Sequence, residues 1–392
     1  MATDLRLASR MSRLGTETAF EVLVRAKALE AQGKDIIHLE IGEPDFDTPS
    51  NVIEAGCDAL KSGWTHYGPS AGQPELRAAI ANYINSSRGT AFEADQVIVT
   101  PGGKPVMFFI ILALVEAGEE ALFPDPGFPI YRSMIDFAGA TAVPIPLREE
   151  RAFGIDLEEL ASLITPKSKL LILNSPANPT GGVLTRDEIV EIARLAVEND
   201  LIVLADEIYS ELIYEGEHVS IATMPGMADR TIILDGFSKT YAMTGWRLGY
   251  GLMPRPLVEA VNRLMVNSVS CTSMAVQRAG LAALTGPQDE VAAMREAFRT
   301  RRDLIVGGLN EIAGISCLSP KGAFYAFPNI SALGVTSKQF ADRLLDEFGV
   351  AALAGTAFGG HGEGYLRLST ANSEANLSRA LERIDQAARS FQ

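Results

Sequence analysis

Lys239 stands in the tripeptide Phe237-Ser238-Lys239, at the end of an apolar run that closes on Asp235 and Gly236, and Arg247 follows eight residues later. A lysine delivered by a strand end into a glycine-flanked turn is poorly placed to solvate a surface. Once burial or a nearby cation lowers its pKa, such an amine condenses with a carbonyl to give a Schiff base. Ser238 and Arg247 add a hydroxyl and a planar cation, the donors that hold a phosphate. A Schiff-base lysine beside a phosphate clamp points to pyridoxal phosphate. An isolated Ser-Lys dipeptide is more often ordinary solvated surface, so the reading depends on the rest of the chain.

Five other features meet the needs of that chemistry. The apolar run 201–205 ends in Asp206, with Tyr209 three residues on. A buried carboxylate needs a partner, and a protonated pyridine nitrogen is one; a helix N-cap with Glu207 in the first turn is the competing role. Tyr209 either aims its hydroxyl at the cofactor's phenolic oxygen or is a half-buried aromatic. Thr100-Pro101-Gly102-Gly103-Lys104 joins a strand to a helix, and backbone N–H groups there form an anion site. It is neither a Walker loop nor a G-x-G-x-x-G turn, and alone it reverses the chain and no more. Asn174-Ser175-Pro176-Ala177-Asn178-Pro179 is a rigid turn, compatible with cis bonds, that sets Asn178 against a ligand oxygen or caps the next helix. Phe128, from the stiff loop 124–131, stacks on a planar cofactor or fills core. Arg367, inside the apolar run 365–369, needs an anion: a substrate carboxylate or an internal Asp or Glu.

These residues must be positioned by alternating strands and helices. Periodicity predicts helices over 18–32, 51–62, 73–86 and 104–116, and strands over 97–100, 121–124, 142–145, 169–174, 201–206 and 231–234. Residues 35–41 read as extended. That alternation predicts an α/β fold, a large domain with a mainly parallel sheet covered on both faces. After about residue 286 the pattern changes to a charged amphipathic stretch over 289–312, strands over 323–327 and 365–369, and a helix over 374–390. The division expected is an N-terminal segment 1–44 packing with the small domain, a large cofactor-binding domain 45–286 and a small α+β domain 287–392. In open α/β sheets ligands bind at the carboxyl ends of strands, and Gly103, Asn178, Asp206 and Lys239 all lie there.

Composition bounds the alternatives. With 21% charged and 47% hydrophobic residues, the 392-residue chain has a globular composition. Its net charge of −15 opposes a nucleic-acid partner held by phosphate neutralisation. Cys57, Cys271 and Cys317 fit no metal or disulfide spacing, which favours a reducing, cytoplasmic setting. No apolar run reaches the roughly 18 residues of a membrane span, and the first residues lack the apolar core of a signal peptide. The reading includes no metal.

In order along the chain stand Ile41-Gly-Glu-Pro-Asp-Phe46, Tyr67-Gly-Pro-Ser-Ala-Gly72 with Pro74-Glu-Leu-Arg77, the Pro101-Gly-Gly-Lys104 turn, Asn174 to Gly181, Ala205-Asp-Glu-Ile-Tyr209, Gly236-Phe-Ser-Lys-Thr-Tyr241 through Arg247, Gly322-Ala-Phe-Tyr325 and Tyr365-Leu-Arg-Leu-Ser369. From about residue 21 to residue 386 the chain resembles the class I/II, fold type I, pyridoxal-phosphate-dependent aminotransferases of the aspartate aminotransferase superfamily. The resemblance implies a seven-stranded-type sheet and a ping-pong transfer of an amino group from an L-amino acid to a 2-oxo acid through a Lys239 aldimine. It implies that Lys239 later moves the proton as a free amine, that Asp206 binds the pyridine nitrogen, and that Asn178 and Tyr209 contact the phenolic oxygen. The phosphate would rest on the Gly103 and Lys104 backbone, Ser238 and Arg247, with Tyr67 supplied by the other subunit of a homodimer. Phe128 would stack on the ring, and Gly42, Asn178 and Arg367 would bind the substrate.

Departures from the family pattern are Gly236 in place of a serine, Phe128 in place of Trp or Tyr, and Ala354-Gly355 in place of Pro-Gly. No second arginine for a dicarboxylate side chain is identifiable. The alternative reaction on this scaffold is β- or γ-elimination, replacement or cyclisation, since the same carbanion serves both outcomes. A regulatory protein that keeps the fold would need an added DNA-binding domain. The residues point to none.

Overall fold

Runs of Leu, Ile and Val with period-two alternation build the central sheet. The computed structural model describes residues 5–391, so the first four residues of the expected N-terminal segment, and Gln392, lie outside the described residues. The strands are β1 (Ile37–His38), β2 (Val97–Thr100), β3 (Glu120–Asp125), β4 (Thr141–Pro146), β5 (Ser168–Asn174), β6 (Ile202–Asp206), β7 (Thr231–Gly236), β8 (Gly249–Leu252), β9 (Tyr325–Ala326), β10 (Val350–Ala351), β11 (Leu353–Ala354) and β12 (Leu366–Ser369). Seven form one sheet in the order β2-β8-β7-β6-β5-β3-β4. All its pairings are parallel except those of β8, which runs antiparallel to both β2 and β7.

Alternation then assigns the faces. In β5, Leu170 and Ile172 face the helices Lys104–Leu114 and Ile130–Ala138, whereas Leu171 and Leu173 face the helix Arg186–Glu198. Both sets are buried, as a parallel sheet covered on two sides requires. Beyond β7 a third cluster packs Val97, Ile233 and Tyr250 under the helices Pro74–Arg88 and Met274–Thr285.

The sequence expectation lacks β8, because the two glycines in Gly249-Tyr-Gly-Leu252 weaken the strand signal. The structure explains Gly249: a Cβ there would sit 2.5 Å from Gly102 C and Gly103 N. The helices Arg255–Ser268, Met274–Thr285 and Ser337–Phe348 were likewise not anticipated. Regular strand over 35–41 shrinks to β1, and that over 323–327 to β9. Most other boundaries shift by one or two residues.

A separate apolar cluster gathers Ile305, Leu309, Phe340, Leu366 and Ile384. Ile37 and Leu39 join it, and β1 pairs in parallel with β10 in the register Ile37↔Val350. The segment leading to Gly42 is therefore anchored by the C-terminal part of the chain and passes over the carboxyl ends of the main sheet. No helix among the described residues is long and apolar enough to cross a membrane.

Candidate active site

Lys239 lies on one helical turn, Phe237–Thr240, that follows β7 directly. Phe237 anchors the turn, packing edge-on to Tyr250 at 5.6 Å and tilted against Tyr241 at 5.8 Å. The lysine is half-buried. Its Nζ donates to the Gly42 carbonyl and lies 5.5 Å and 5.9 Å from the ring centres of Phe324 and Tyr209. Desolvation, then the charge of Arg367, lowers its pKa to about 8.

Asp206 closes β6 and is buried. Tyr131 Oη donates to its Oδ2 at 2.7 Å, and the Ile208 amide reaches Oδ1 at 3.3 Å. A turn rather than a helix follows, so the N-cap alternative does not describe this residue. Burial pushes its carboxyl up to about 6.

Both ends of the pair connect through one hydrogen-bonded chain. Asn174 Nδ2 donates to the Asp206 carbonyl at 3.1 Å, and Asn174 Oδ1 accepts the Asn178 amide at 2.8 Å. Asn178 Oδ1 accepts Arg367 Nη1 at 3.3 Å, and Arg367 Nη2 donates to the Glu40 carbonyl. Two residues after Glu40, Gly42 accepts Lys239. A Cβ at Gly42 would come 2.1 Å from Tyr325 Oη, so this position is held to glycine by the approach of that ring. The turn that carries Asn178 has cis bonds at Ser175–Pro176 and Asn178–Pro179.

Arg367 is 4% exposed. No Asp or Glu among the described residues forms an ion pair with it, which removes the internal-carboxylate alternative. Its guanidinium lies 4.5 Å and 4.9 Å from the ring centres of Tyr325 and Phe358, and its Nε has no partner. Desolvation lowers its pKa. A buried guanidinium with an orphan donor is a site built for an anion.

The helix Lys104–Leu114 begins at Gly103, after Gly102 in the left-handed region at φ 92°. A Cβ on Gly102 would meet Arg247 Nη2 at 2.3 Å, so that guanidinium lies against the helix start, while its Nη1 donates to the Thr244 carbonyl at 2.8 Å. Ser238 is half-buried in the Phe237–Thr240 turn. Lys104 brings its backbone to the helix start, but its ammonium pairs with Glu17 and lies 5.6 Å from the Phe128 ring centre. Phe128 is half-buried and edge-on to Tyr131 at 5.7 Å. Tyr209 Oη is bonded to Tyr325 Oη at 2.7 Å. Tyr67 is 88% exposed on the loop between the helices Ser50–Lys61 and Pro74–Arg88, outside the hydrogen-bonded chain just described.

Three neighbours of these residues have no role in the sequence reading. Tyr131 holds Asp206, and Tyr325 holds Tyr209 and backs Arg367. The third, Arg88, approaches from the far side of the strand ends. Tyr131 and Tyr325 sit inside motifs singled out for other residues, and Arg88 reads as an ordinary helix-terminal cation.

A family profile described as "Aminotransferase class I and II" matches residues 34–384. The aspartate aminotransferase of Pyrococcus abyssi is 42% identical over 362 residues, covering 91% of this chain and 92% of that one. An arginine–pyruvate transaminase of Pseudomonas aeruginosa is 39% identical over 366 residues, covering 93% of each. The solved aspartate aminotransferase from Thermus thermophilus with maleate superposes with a TM-score of 0.94 at 39% identity, over 98% of this chain and 100% of that one.

Proposed function

We infer, from the premise that this chain belongs to the class I and II aminotransferase family, which of its residues carry the reaction. The protein is a transaminase, moving an amino group between an amino acid and a 2-oxo acid. The cofactor we assign is pyridoxal phosphate. Its fit rests on three features: a buried carboxyl at Asp206, a glycine-opened helix start flanked by Arg247, and an amine of lowered pKa at Lys239. The observation that carries the reading is the hydrogen-bonded chain from Lys239 through Arg367 and Asn178 to Asp206, which leaves Arg367 Nε free for a ligand.

When bound, pyridoxal phosphate supplies an electron sink for the substrate carbon. Lys239 would hold it covalently, the backbone of Gly103 and Lys104 with Ser238 and Arg247 would hold its phosphate, and Phe128 would cover the ring. Asp206 would keep the ring nitrogen protonated. At neutral pH a carboxyl at about 6 is mostly ionised, and a cation beside it favours that form further. Asn178 and Tyr209 would face the phenolic oxygen. Arg367 binds the substrate carboxylate, recovering the counter-ion that burial denies it, with Asn178 and the Gly42 segment setting the orientation. As an amine, Lys239 would act as general base at the substrate Cα and return the proton; the value near 8 that burial gives it suits that exchange close to neutral pH.

Tyr67, exposed here, is assigned to the phosphate of a second copy, which makes the working unit a homodimer. The division into 1–44, 45–286 and 287–392 is kept on the packing of Ile37 and Leu39 with Ile305 and Leu309. Three free cysteines support the cytoplasmic assignment. Relatives named for aspartate and for arginine with pyruvate match at nearly equal identity, so the donor must be measured.

The test is the absorption spectrum of the purified, cofactor-loaded protein and of Lys239→Ala, followed by a screen of amino donors against pyruvate and 2-oxoglutarate. Lys239→Ala is expected to lose the bound-cofactor absorbance and to slow turnover by about 10³-fold or more. A variant that keeps both sinks the assignment of Lys239. Release of ammonia or a side-chain fragment in place of amino transfer would favour elimination. Full activity in a strictly monomeric form would remove the role of Tyr67.

A further inference from the structure

Below the ends of β6 and β7, on the side facing the helix Pro74–Arg88, one guanidinium meets three carboxylates. Arg88 closes that helix with its side chain 2% exposed. Its Nε donates to Glu207 Oε2 at 3.2 Å, and its Nη2 to Asp235 Oδ2 at 2.9 Å and to Ser210 Oγ. Its Nη1 donates to Glu211 Oε1 at 3.3 Å and Ser87 Oγ at 2.7 Å. The carboxylates are held in turn. Glu207 Oε1 accepts Ser220 Oγ at 2.6 Å, Asp235 Oδ1 accepts the Gly236 amide at 2.7 Å, and Glu211 accepts Tyr83 Oη at 2.7 Å. His218 Nε2 lies 3.0 Å from Glu207 Oε2, outside hydrogen-bond alignment.

The sequence positions of these carboxylates give the cluster its meaning. Glu207 is the residue after Asp206, and Asp235 stands four residues before Lys239. The pairing of β6 with β7 ends at Asp206↔Leu234, with the Glu207 amide donating to the Leu234 carbonyl at 2.9 Å. Past that rung β6 enters a turn and β7 enters the Phe237–Thr240 helical turn. Arg88 bridges the two chains where they part.

We propose that Arg88 is a positioning residue: its planar fork clamps Glu207 and Asp235 together and so fixes the spacing between Asp206 and Lys239. A guanidinium is suited to this because two donors in a rigid plane set the separation of two acceptors, which a single ammonium cannot do. The effect on rate follows from geometry, since a displacement of about 1 Å between reacting groups costs on the order of 10²-fold. The proposal rests on the roles assigned above to Asp206 and Lys239.

The experiment compares four forms of the full-length, pyridoxal-phosphate-loaded protein. They are wild type, Arg88→Lys, the charge-stripped variant Arg88→Met with Glu207→Gln and Asp235→Asn, and Leu160→Ala, buried on the outer helix Leu157–Leu163, as a stability control. The readouts are the pH midpoint of the bound-cofactor absorption, kcat, KM and the thermal midpoint. In Arg88→Lys the absorption midpoint is expected to move by about half a pH unit or more, with kcat about 10-fold lower or worse and KM within about threefold. Leu160→Ala is expected to lower the thermal midpoint and leave the other three readouts alone. The charge-stripped variant removes the buried ions together, so it tests the same loss of clamping if Arg88→Lys does not fold. Wild-type midpoint and kcat in either folded Arg88 variant overturn the proposal, as does a control that shifts as much as Arg88→Lys. Lys239→Ala run alongside separates the two levels. Absorbance surviving there sinks the Lys239 assignment itself, whereas wild-type behaviour of the Arg88 variants sinks only the clamp.

Discussion

Arg88 and Arg367 are both buried and meet the cost of burial in opposite ways. Arg88 is ringed by Glu207, Asp235 and Glu211, and each of its nitrogens is bonded. Arg367 has carbonyl and amide oxygens, two aromatic faces and an unpartnered Nε. A buried cation that is fully paired belongs to the scaffold, while one left short of a counter-ion is a place where a ligand completes the structure. Asp206 and Glu207 repeat the contrast one residue apart. Burial raises Asp206 to about 6, whereas His218 and Arg88 outweigh burial and hold Glu207 down at about 2. Consecutive residues at a strand end point to opposite sides. Here one side faces the cleft and the other the clamp.

The strongest way to break this comparison is to remove each guanidinium. Arg88→Met alone strands buried carboxylates and is expected to cost about 3–5 kcal/mol in urea unfolding. Arg367→Met, which removes a desolvated cation with no ion pair, is expected to cost no more than about 1 kcal/mol. Its damage should appear in kinetics, as a loss of about 10²-fold in kcat/KM with the larger part in KM. Equal stability losses in the two variants would remove the distinction.

The pH dependence of the cofactor-free protein sharpens it. An acid whose folded pKa is raised favours folding fully below its unfolded value, and that contribution is lost as pH rises through the folded value. For Asp206 the window runs from about 3.8 to about 6, and the loss amounts to roughly 3 kcal/mol. Comparing unfolding at pH 4 and pH 7, Asp206→Asn should remove most of that amount from the wild-type difference. Glu207 has the reverse sign: its contribution is present above 4.5 and is lost as pH falls towards about 2. Glu207→Gln should therefore flatten acid unfolding below about pH 4.5, and because its charge also raises Asp206 and Asp235 it should lessen, without reversing, the slope at higher pH. The same sign in both variants would contradict the opposed environments.

The narrowest effect expected, confined to one titration, is that of Tyr131→Phe. It removes one hydrogen bond to a carboxylate, about 1.5–3 kcal/mol in favour of the ionised form, so the Asp206 titration in the cofactor-free protein should move upward. A titration that stays in place would show that the 2.7 Å contact does not govern Asp206.

Much of the site was legible as strand-end chemistry. Asp206, Asn178 and Lys239 follow apolar runs whose alternation requires a covered parallel sheet, and a parallel sheet collects its strand ends along one edge. Arg367 was legible for a related reason: a cation inside an apolar strand declares a need for an anion. β8 was not legible, because its glycines answer to the backbone of Gly102 and Gly103, about 150 residues away in sequence.

By itself, then, the chain's pattern determined which residues are buried polar groups at the ends of strands, since desolvation is local and periodicity reveals it. Which partner each group meets was decided only by the tertiary structure. Tyr131, Tyr325 and Arg88 reach Asp206, Tyr209 and Glu207 across 75, 116 and 119 positions. Separations of that length are closed by packing, and no local propensity encodes them. The same packing decides that Arg88 is satisfied and Arg367 is not.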